Sequence, residues 1–255
     1  MSARTRRARR TQTARARSTY AADLAHIHHV GYTAFARAAA PALLRVLRAH
    51  GVRGRVVDLG CGSGVWARAL ADAGYDVLGI DVSAAMLRIA RATAPRARFR
   101  RASLFRAALP CCGAVTAIGE GLGYAFDRAA GWRGLERLFR RVHAALAPDG
   151  VFVFDVLAPG QLAPGTVRHV HREGDGWATL VDATERAGVL TRRITAFRRV
   201  GRSWRRSREV HRVVLYERRA LRRALVRAGF AVTELRAYGR LRLAPHHPAF
   251  VAAKR

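Results

Sequence analysis

The chain has 255 residues, half of them apolar, which is enough to bury a sizeable core and excludes disorder throughout. No stretch approaches the roughly 18 to 20 uninterrupted apolar residues that cross a bilayer, and no apolar run follows the basic start SARTRRARRTQTARARS, so no membrane span and no secretory signal are expected and a cytoplasmic protein is the default. Forty-seven basic residues against 17 acidic ones give a formal charge of +30, which invites a nucleic-acid partner, but Lys254 is the only lysine and alanine is abundant, so the excess reads as a GC-rich coding bias on surface positions.

In chain order, residues 1–18 carry seven arginines and no acid, without apolar periodicity, and are expected to form a disordered basic tail. The remainder, 19–255, is expected to be one domain. From Tyr20 a short helix and then a longer one are expected, the second with Ala39, Leu43, Leu44 and Leu47 on one face and closed by Gly51; together they form a helical cap over 20–50. Val56–Leu59 has the length and apolar content of a buried parallel strand. Helix VWARALADAG, strand VLGI at 77–80, helix AAMLRIARA from Ala84, a short strand at ARFRRA, a strand at 114–119, a long helix from Trp132 and strand VFVFDV from Val151 follow in alternation. That rhythm implies a parallel sheet covered by helices on both faces.

Past Leu157 the pattern changes. Strand-like segments near 177–184, 189–199 and 207–216, separated by turn signals, indicate an antiparallel β insertion within about 160–216. A helix over 217–229, strand FAVTEL and a final strand AFVAAK complete the domain. The three cysteines, Cys61, Cys111 and Cys112, are an odd number without the paired spacing of a zinc site, and are expected as reduced thiols. The HxHH run at His26, His28 and His29 cannot present three rings to one ion from a single short helix, so no metal is expected.

The chemistry is concentrated at Asp58-Leu59-Gly60-Cys61-Gly62-Ser63-Gly64. Three glycines at alternate positions after a strand and before a helix allow a tight turn and a close ligand approach to the main chain. The spacing is G-x-G-x-G rather than G-x-G-x-x-G, and the acid ahead of it would repel a pyrophosphate while favouring a cationic amine or sulfonium. Asp81, at the end of the next strand and 21 residues past Gly60, is placed to accept both hydroxyls of a ribose.

These residues resemble the class I S-adenosylmethionine-dependent methyltransferases. VVDLGCGSG is similar to that family's first motif and VLGIDVSAAML to its second; RRASLFRAALP and AVTAIGEGLGY resemble the third and fourth, and LAPDGVFVFDV the approach to the fifth strand. The resemblance implies an α/β, Rossmann-like doubly wound sheet of about seven strands, the last antiparallel, with S-adenosylmethionine as cofactor. It implies that Asp58, Gly60 and Gly62 hold the methionine part, Asp81 the ribose, and Val82, Met86, Ser103 and Leu104 the adenine, with Gly119 and Glu120 facing the methyl donor; Cys61, small and apolar inside the turn, is counted with the cofactor-binding residues and read as packing. Ser103 stands where the family often has an acid toward the adenine amino group. Glu120, Tyr124, His28 and His211, in that order, are candidates for a base, which is needed only if the acceptor arrives protonated. The sequence reads GEGLGY after the fourth strand and lacks the Asn-Pro-Pro-Tyr type of motif that resembles base-modifying enzymes. The expected acceptor is therefore a small molecule and the expected assembly a monomer or homodimer; an RNA or protein methyltransferase, or a nucleic-acid-binding module on the same fold, is the rival reading.

Overall fold

The computed structural model describes residues 20–254, so the basic tail expected over 1–18 lies outside the described residues. The chain enters through helices α1 (Ala22–Gly31) and α2 (Ala34–Ala49). It then alternates through β1 (Arg55–Leu59), α3 (Val65–Asp72), β2 (Asp76–Asp81), α4 (Ala84–Thr93), β3 (Arg98–Arg101), β4 (Cys112–Ala117), α5 (Trp132–Ala145) and β5 (Leu146–Asp155). Four antiparallel strands follow, β6 (Val167–Gly174), β7 (Trp177–Arg186), β8 (Val189–Val200) and β9 (Ser203–Val214). Helix α6 (Arg218–Arg227), β10 (Phe230–Leu235), a small hairpin of β11 (Ala237–Tyr238) and β12 (Leu241–Arg242), and β13 (Ala249–Lys254) close the fold.

Seven strands form the main sheet in the order β10-β13-β5-β4-β1-β2-β3, and β13 alone runs antiparallel to the rest. Alternation along each strand sorts side chains onto two faces. Val57, Leu59, Phe152 and Phe154 meet Leu135, Leu138, Phe139 and Val142 of α5, which recur at helical spacing, together with Leu221 and Leu225 of α6. Val56, Val151 and Val153 face the other way, against Leu43 and Leu47 of α2 and Trp66 and Leu70 of α3. Fully burying each such side chain contributes about 1.5–3 kcal/mol, and the same alternation puts Asp58, Thr116 and Asp155 on the α2 and α3 side at the carboxyl ends of adjacent strands.

The insertion is a four-stranded sheet, β6-β7-β8-β9. Its inner face packs Trp177 and Ala196 against Leu24 and Ile27 of α1, and Ala183, Leu190 and Val213 against Leu157 with Tyr124 alongside. Strand β6 was not expected: VRHVHREG is almost wholly exposed, an edge strand whose polar side chains give no apolar alternation to read. The β4 ladder ends at Ala117 rather than Gly119, because Gly119 leaves it with φ +85 to meet Asp155. Strand β5 begins five residues earlier than Val151, since Leu146 already pairs with Cys112 and the Pro148-Asp149-Gly150 signal is a bulge, not a boundary.

Candidate functional site

The glycine turn follows β1 directly. Gly62 and Gly64 sit at φ +52 and +80; a Cβ at Gly64 would come within 3.0 Å of Ala90, and the open side of Gly62 lines a cavity of about 450 Å³. Asp58 is buried beneath the turn. Its Oδ1 accepts from the Thr116 hydroxyl at 2.9 Å, and that hydroxyl oxygen in turn accepts from Trp66 Nε1 at 3.1 Å. Burial lifts the Asp58 carboxyl from an ordinary 3.8 to about 7, against the lowering effect of the Thr116 bond and with Asp81 adding like charge. A buried carboxylate with one hydroxyl donor among the described residues has acceptor capacity left for a cationic ligand.

Asp81 accepts from Gly62 N–H at 3.0 Å and from Ser83 N–H at 2.8 Å, one on each oxygen, which ties the two motif segments together while both oxygens keep acceptor capacity among the described residues. Ser83 caps α4 by accepting from Met86 N–H at 3.1 Å and donates to the Tyr20 carbonyl at 2.9 Å. Met86 is nevertheless part of the cavity wall, as is Val82. Ser103 and Leu104 follow β3 on a loop anchored from α5, whose Arg141 donates to the carbonyl of Phe105 at 2.6 Å and to those of Leu104 and Ala107. The Cys61 thiol is buried against Gly79, with its pKa raised by that burial, and acts as a small packing group at the cavity wall.

At the tip of β4 two consecutive left-handed residues, Gly119 and Glu120 (φ +62), turn the chain. Both of their N–H groups point at Asp155, the buried last residue of β5. Asp155 accepts from Gly119 N at 3.0 Å, Glu120 N at 2.6 Å, Tyr238 Oη at 3.0 Å and pairs with His247 Nε2 at 2.7 Å. The turn delivers the Glu120 side chain to Arg192 of β8, which grips it in a two-pronged pair with Nη2 to Oε2 at 3.0 Å. Tyr124 Oη donates to Glu120 Oε1 at 3.2 Å, lies 3.3 Å from Arg192 Nη1, and shares a 3.0 Å bond with Tyr20 Oη. Burial and the Glu120 charge push the Tyr124 phenol up to about 12. His28 lies half-buried beside them, its buried Nδ1 has no partner among the described residues, and desolvation drives its imidazole down to about 4.

One cavity thus collects Asp58, Gly60, Cys61, Gly62, Asp81, Val82, Met86, Ser103, Leu104, Gly119, Glu120, Tyr124 and His28. His211 is the exception. It faces inward from β9 but does not line the cavity; its Nε2 lies 2.9 Å from Glu209, and Glu209 takes Tyr20 N–H at 3.0 Å and Ala21 N–H at 2.8 Å, closing the start of α1. Sequence reasoning missed Arg192, Tyr20, Phe126 and His247 on the wall and Asp155 behind it. Asp155 ends a central strand as Asp58 nearly does and Asp81 does, so the rule that singled those out also reaches it. Among the described residues no group of three or more His, Cys, Asp or Glu could hold a metal, and no helix is long and apolar enough to cross a membrane.

A methyltransferase domain family matches residues 56–150, from β1 into β5. A dTDP-3-amino-3,6-dideoxy-alpha-D-glucopyranose N,N-dimethyltransferase from Streptomyces fradiae is 30% identical over 233 residues, covering 86% of this chain and 88% of the relative. The chain belongs to the class I S-adenosylmethionine-dependent methyltransferases. Solved structures share its fold: an S-adenosylmethionine-dependent methyltransferase from Clostridium acetobutylicum superposes with a TM-score of 0.77 at 16% identity over 90% of this chain and 97% of that one. An amino pentose methyltransferase from Micromonospora echinaspora with S-adenosylmethionine bound gives 0.72 at 20% identity over 93% and 99%. The methyltransferase uses S-adenosylmethionine, and the glycine turn, the under-donated Asp58 and the acceptor capacity of Asp81 are chemically suited to its ammonium, sulfonium and ribose groups.

Proposed function

We propose that this methyltransferase transfers methyl groups to the amine of an amino sugar or a closely similar small molecule. Two supports converge. The Streptomyces fradiae relative, similar over most of both chains, is named for N,N-dimethylation of a nucleotide-linked amino sugar. The cavity continues from the glycine turn into a chamber walled by Tyr20, His28, Tyr32, Glu120, Tyr124 and Arg192, a mixture of ring faces and hydroxyls that suits a sugar's apolar faces and polar rim.

The observation that carries the choice of amine over alcohol is the state of the candidate bases. Asp58, Gly60 and Gly62 are assigned to the methionine part, Asp81 to the ribose hydroxyls, and Val82, Met86, Ser103 and Leu104 to the adenine. S-adenosylmethionine supplies an electrophilic methyl on sulfur with a neutral thioether as leaving group. Of the chain's own groups, Glu120 is bound edge-on by Arg192, the Tyr124 phenol holds its proton up to about pH 12, and His28 is too weakly basic at about 4 to keep a proton taken from an acceptor. A hydroxyl acceptor needs a base to become nucleophilic, whereas a neutral amine does not. The residues of the chamber therefore orient the amine, exclude water and leave its lone pair free, so that proximity and alignment carry the rate.

The test is a panel of acceptors incubated with the enzyme and S-adenosylmethionine, followed by mass spectrometry and NMR of the products. Methyl groups on the 3-nitrogen of dTDP-3-amino-3,6-dideoxyglucose or a related amino sugar support the reading. Methylation of sugar hydroxyls only, with the amines untouched, would contradict it.

A further inference from the structure

The pairing of Glu120 with Arg192 joins β8 to the β4 tip through two charged groups. Both side chains are mostly withdrawn from solvent, 16% and 22% exposed, and a hydrophobic pair of the same volume would hold β8 against the β4 tip at no desolvation cost. The pair also faces the cavity rather than the core, at the end of the chamber where Tyr20, Tyr124 and Phe126 pack edge to face and face to face. An unpaired carboxylate there would be a strong trap for an ammonium ion in a poorly screened space. An ammonium nitrogen has no lone pair with which to attack a methyl group.

We infer that Arg192 is a specificity-determining residue of the acceptor chamber: by holding the Glu120 carboxylate in a two-pronged pair it denies a protonated amine its counter-ion, so the chamber takes its acceptor as the free amine and disfavours permanently cationic compounds. The inference rests on the amine reading above. In the transfer, the nitrogen lone pair forms the N–C bond while the C–S bond breaks, its electron pair staying on sulfur, and the N–H proton then leaves to water. The charged and titratable groups around Glu120 are Arg192 from β8, Tyr124 from its own loop, Tyr20 and His28 from the N-terminal segment and α1, His247 ahead of β13, and Asp155 at the end of β5. Among these, Arg192 is the cation in direct contact with the Glu120 carboxylate.

The test is the pH dependence of kcat with the amino sugar identified in the acceptor panel, for the wild type and for Arg192→Gln, Arg192→Lys and Glu120→Gln. The acidic limb of kcat reports deprotonation of the bound amine. In Arg192→Gln the freed Glu120 stabilises the ammonium form, so the limb moves to higher pH by about one unit or more. Arg192→Lys restores it. Glu120→Gln leaves an unpaired cation and moves the limb the opposite way, to lower pH, and this variant carries the test if the first does not fold. Limbs that stay in place, or that move in the same direction in the Gln variants, overturn the inference while leaving amine methylation intact. A wild type that methylates no amine removes the amine reading and this inference with it.

Discussion

Asp58 sits below the turn that receives the cofactor, buried and raised to about 7 from an ordinary 3.8. Because the folded pKa lies above the unfolded one, this group withdraws stability from the ligand-free fold as pH rises from about 4 through about 7. A cationic ligand reverses that sign, since it is held by the ionised form. Affinity for S-adenosylhomocysteine, measured by calorimetry, is therefore expected to rise about tenfold between pH 6 and 8, and to become flat with pH in Asp58→Asn. A wild-type affinity independent of pH over that range would show that Asp58 does not meet the ligand's ammonium. At the same scale, Asp81→Ala is expected to weaken binding by about 1.5–3 kcal/mol for each ligand hydroxyl bond lost. Both acids were legible in the sequence because a strand end, a glycine turn and the next strand's tip are local signals. Arg192 was not: it meets Glu120 from 72 positions away, across a sheet pairing that no short window contains. The same holds for Glu209, which caps the start of α1 from 189 positions away.

Among the elements, the β4 tip carries the most consequence per residue. Its two left-handed residues are held by one carboxylate, Asp155, which also gathers the β11 hairpin through Tyr238 and the segment ahead of β13 through His247. Burial pulls the His247 imidazole toward neutrality, but its hydrogen bond to the Asp155 carboxylate outweighs burial and raises its pKa. Asp155→Asn puts an amide among donors that need acceptors. It is expected to destabilise the fold by about 3 kcal/mol and to lower Tm by roughly 10 °C in a thermal melt. Affinity for S-adenosylhomocysteine should change by less than about threefold, because Asp155 stands behind the cavity wall rather than on it. An unchanged melt would mean that the turn is held by something else. The main sheet was readable from the alternation of short apolar runs with amphipathic helices, and the insertion from its Thr, Val and Ile content. Strand β6 and the β11–β12 hairpin were not, because exposed edge residues and two-residue strands bury too little to leave an apolar pattern.

Among the described residues, several arginines are taken up in pairs that share one acid. Arg55 and Arg98 share Asp76, Arg68 and Arg96 share Asp72, and Arg198 and Arg205 share Asp23, exposed or half-exposed arrangements that each contribute little. The rings of Tyr20, Tyr124 and Phe126 are turned into the cavity, whereas Trp204 is exposed on β9 beside Arg205 and Arg206. A small acceptor held in that chamber is shielded from bulk ions, whereas a polyanion gripped through phosphates loses affinity with a slope near −0.7 to −0.9 per phosphate in log salt. The decisive measurement is transfer of a labelled methyl group from S-adenosylmethionine to an amino sugar acceptor and to RNA, side by side, from about 50 mM to about 300 mM salt. The expected result is label on the amine at a rate that changes by less than about twofold over this range, with none in RNA. Label entering RNA at a rate that falls steeply with salt, and none entering the amine, would contradict it.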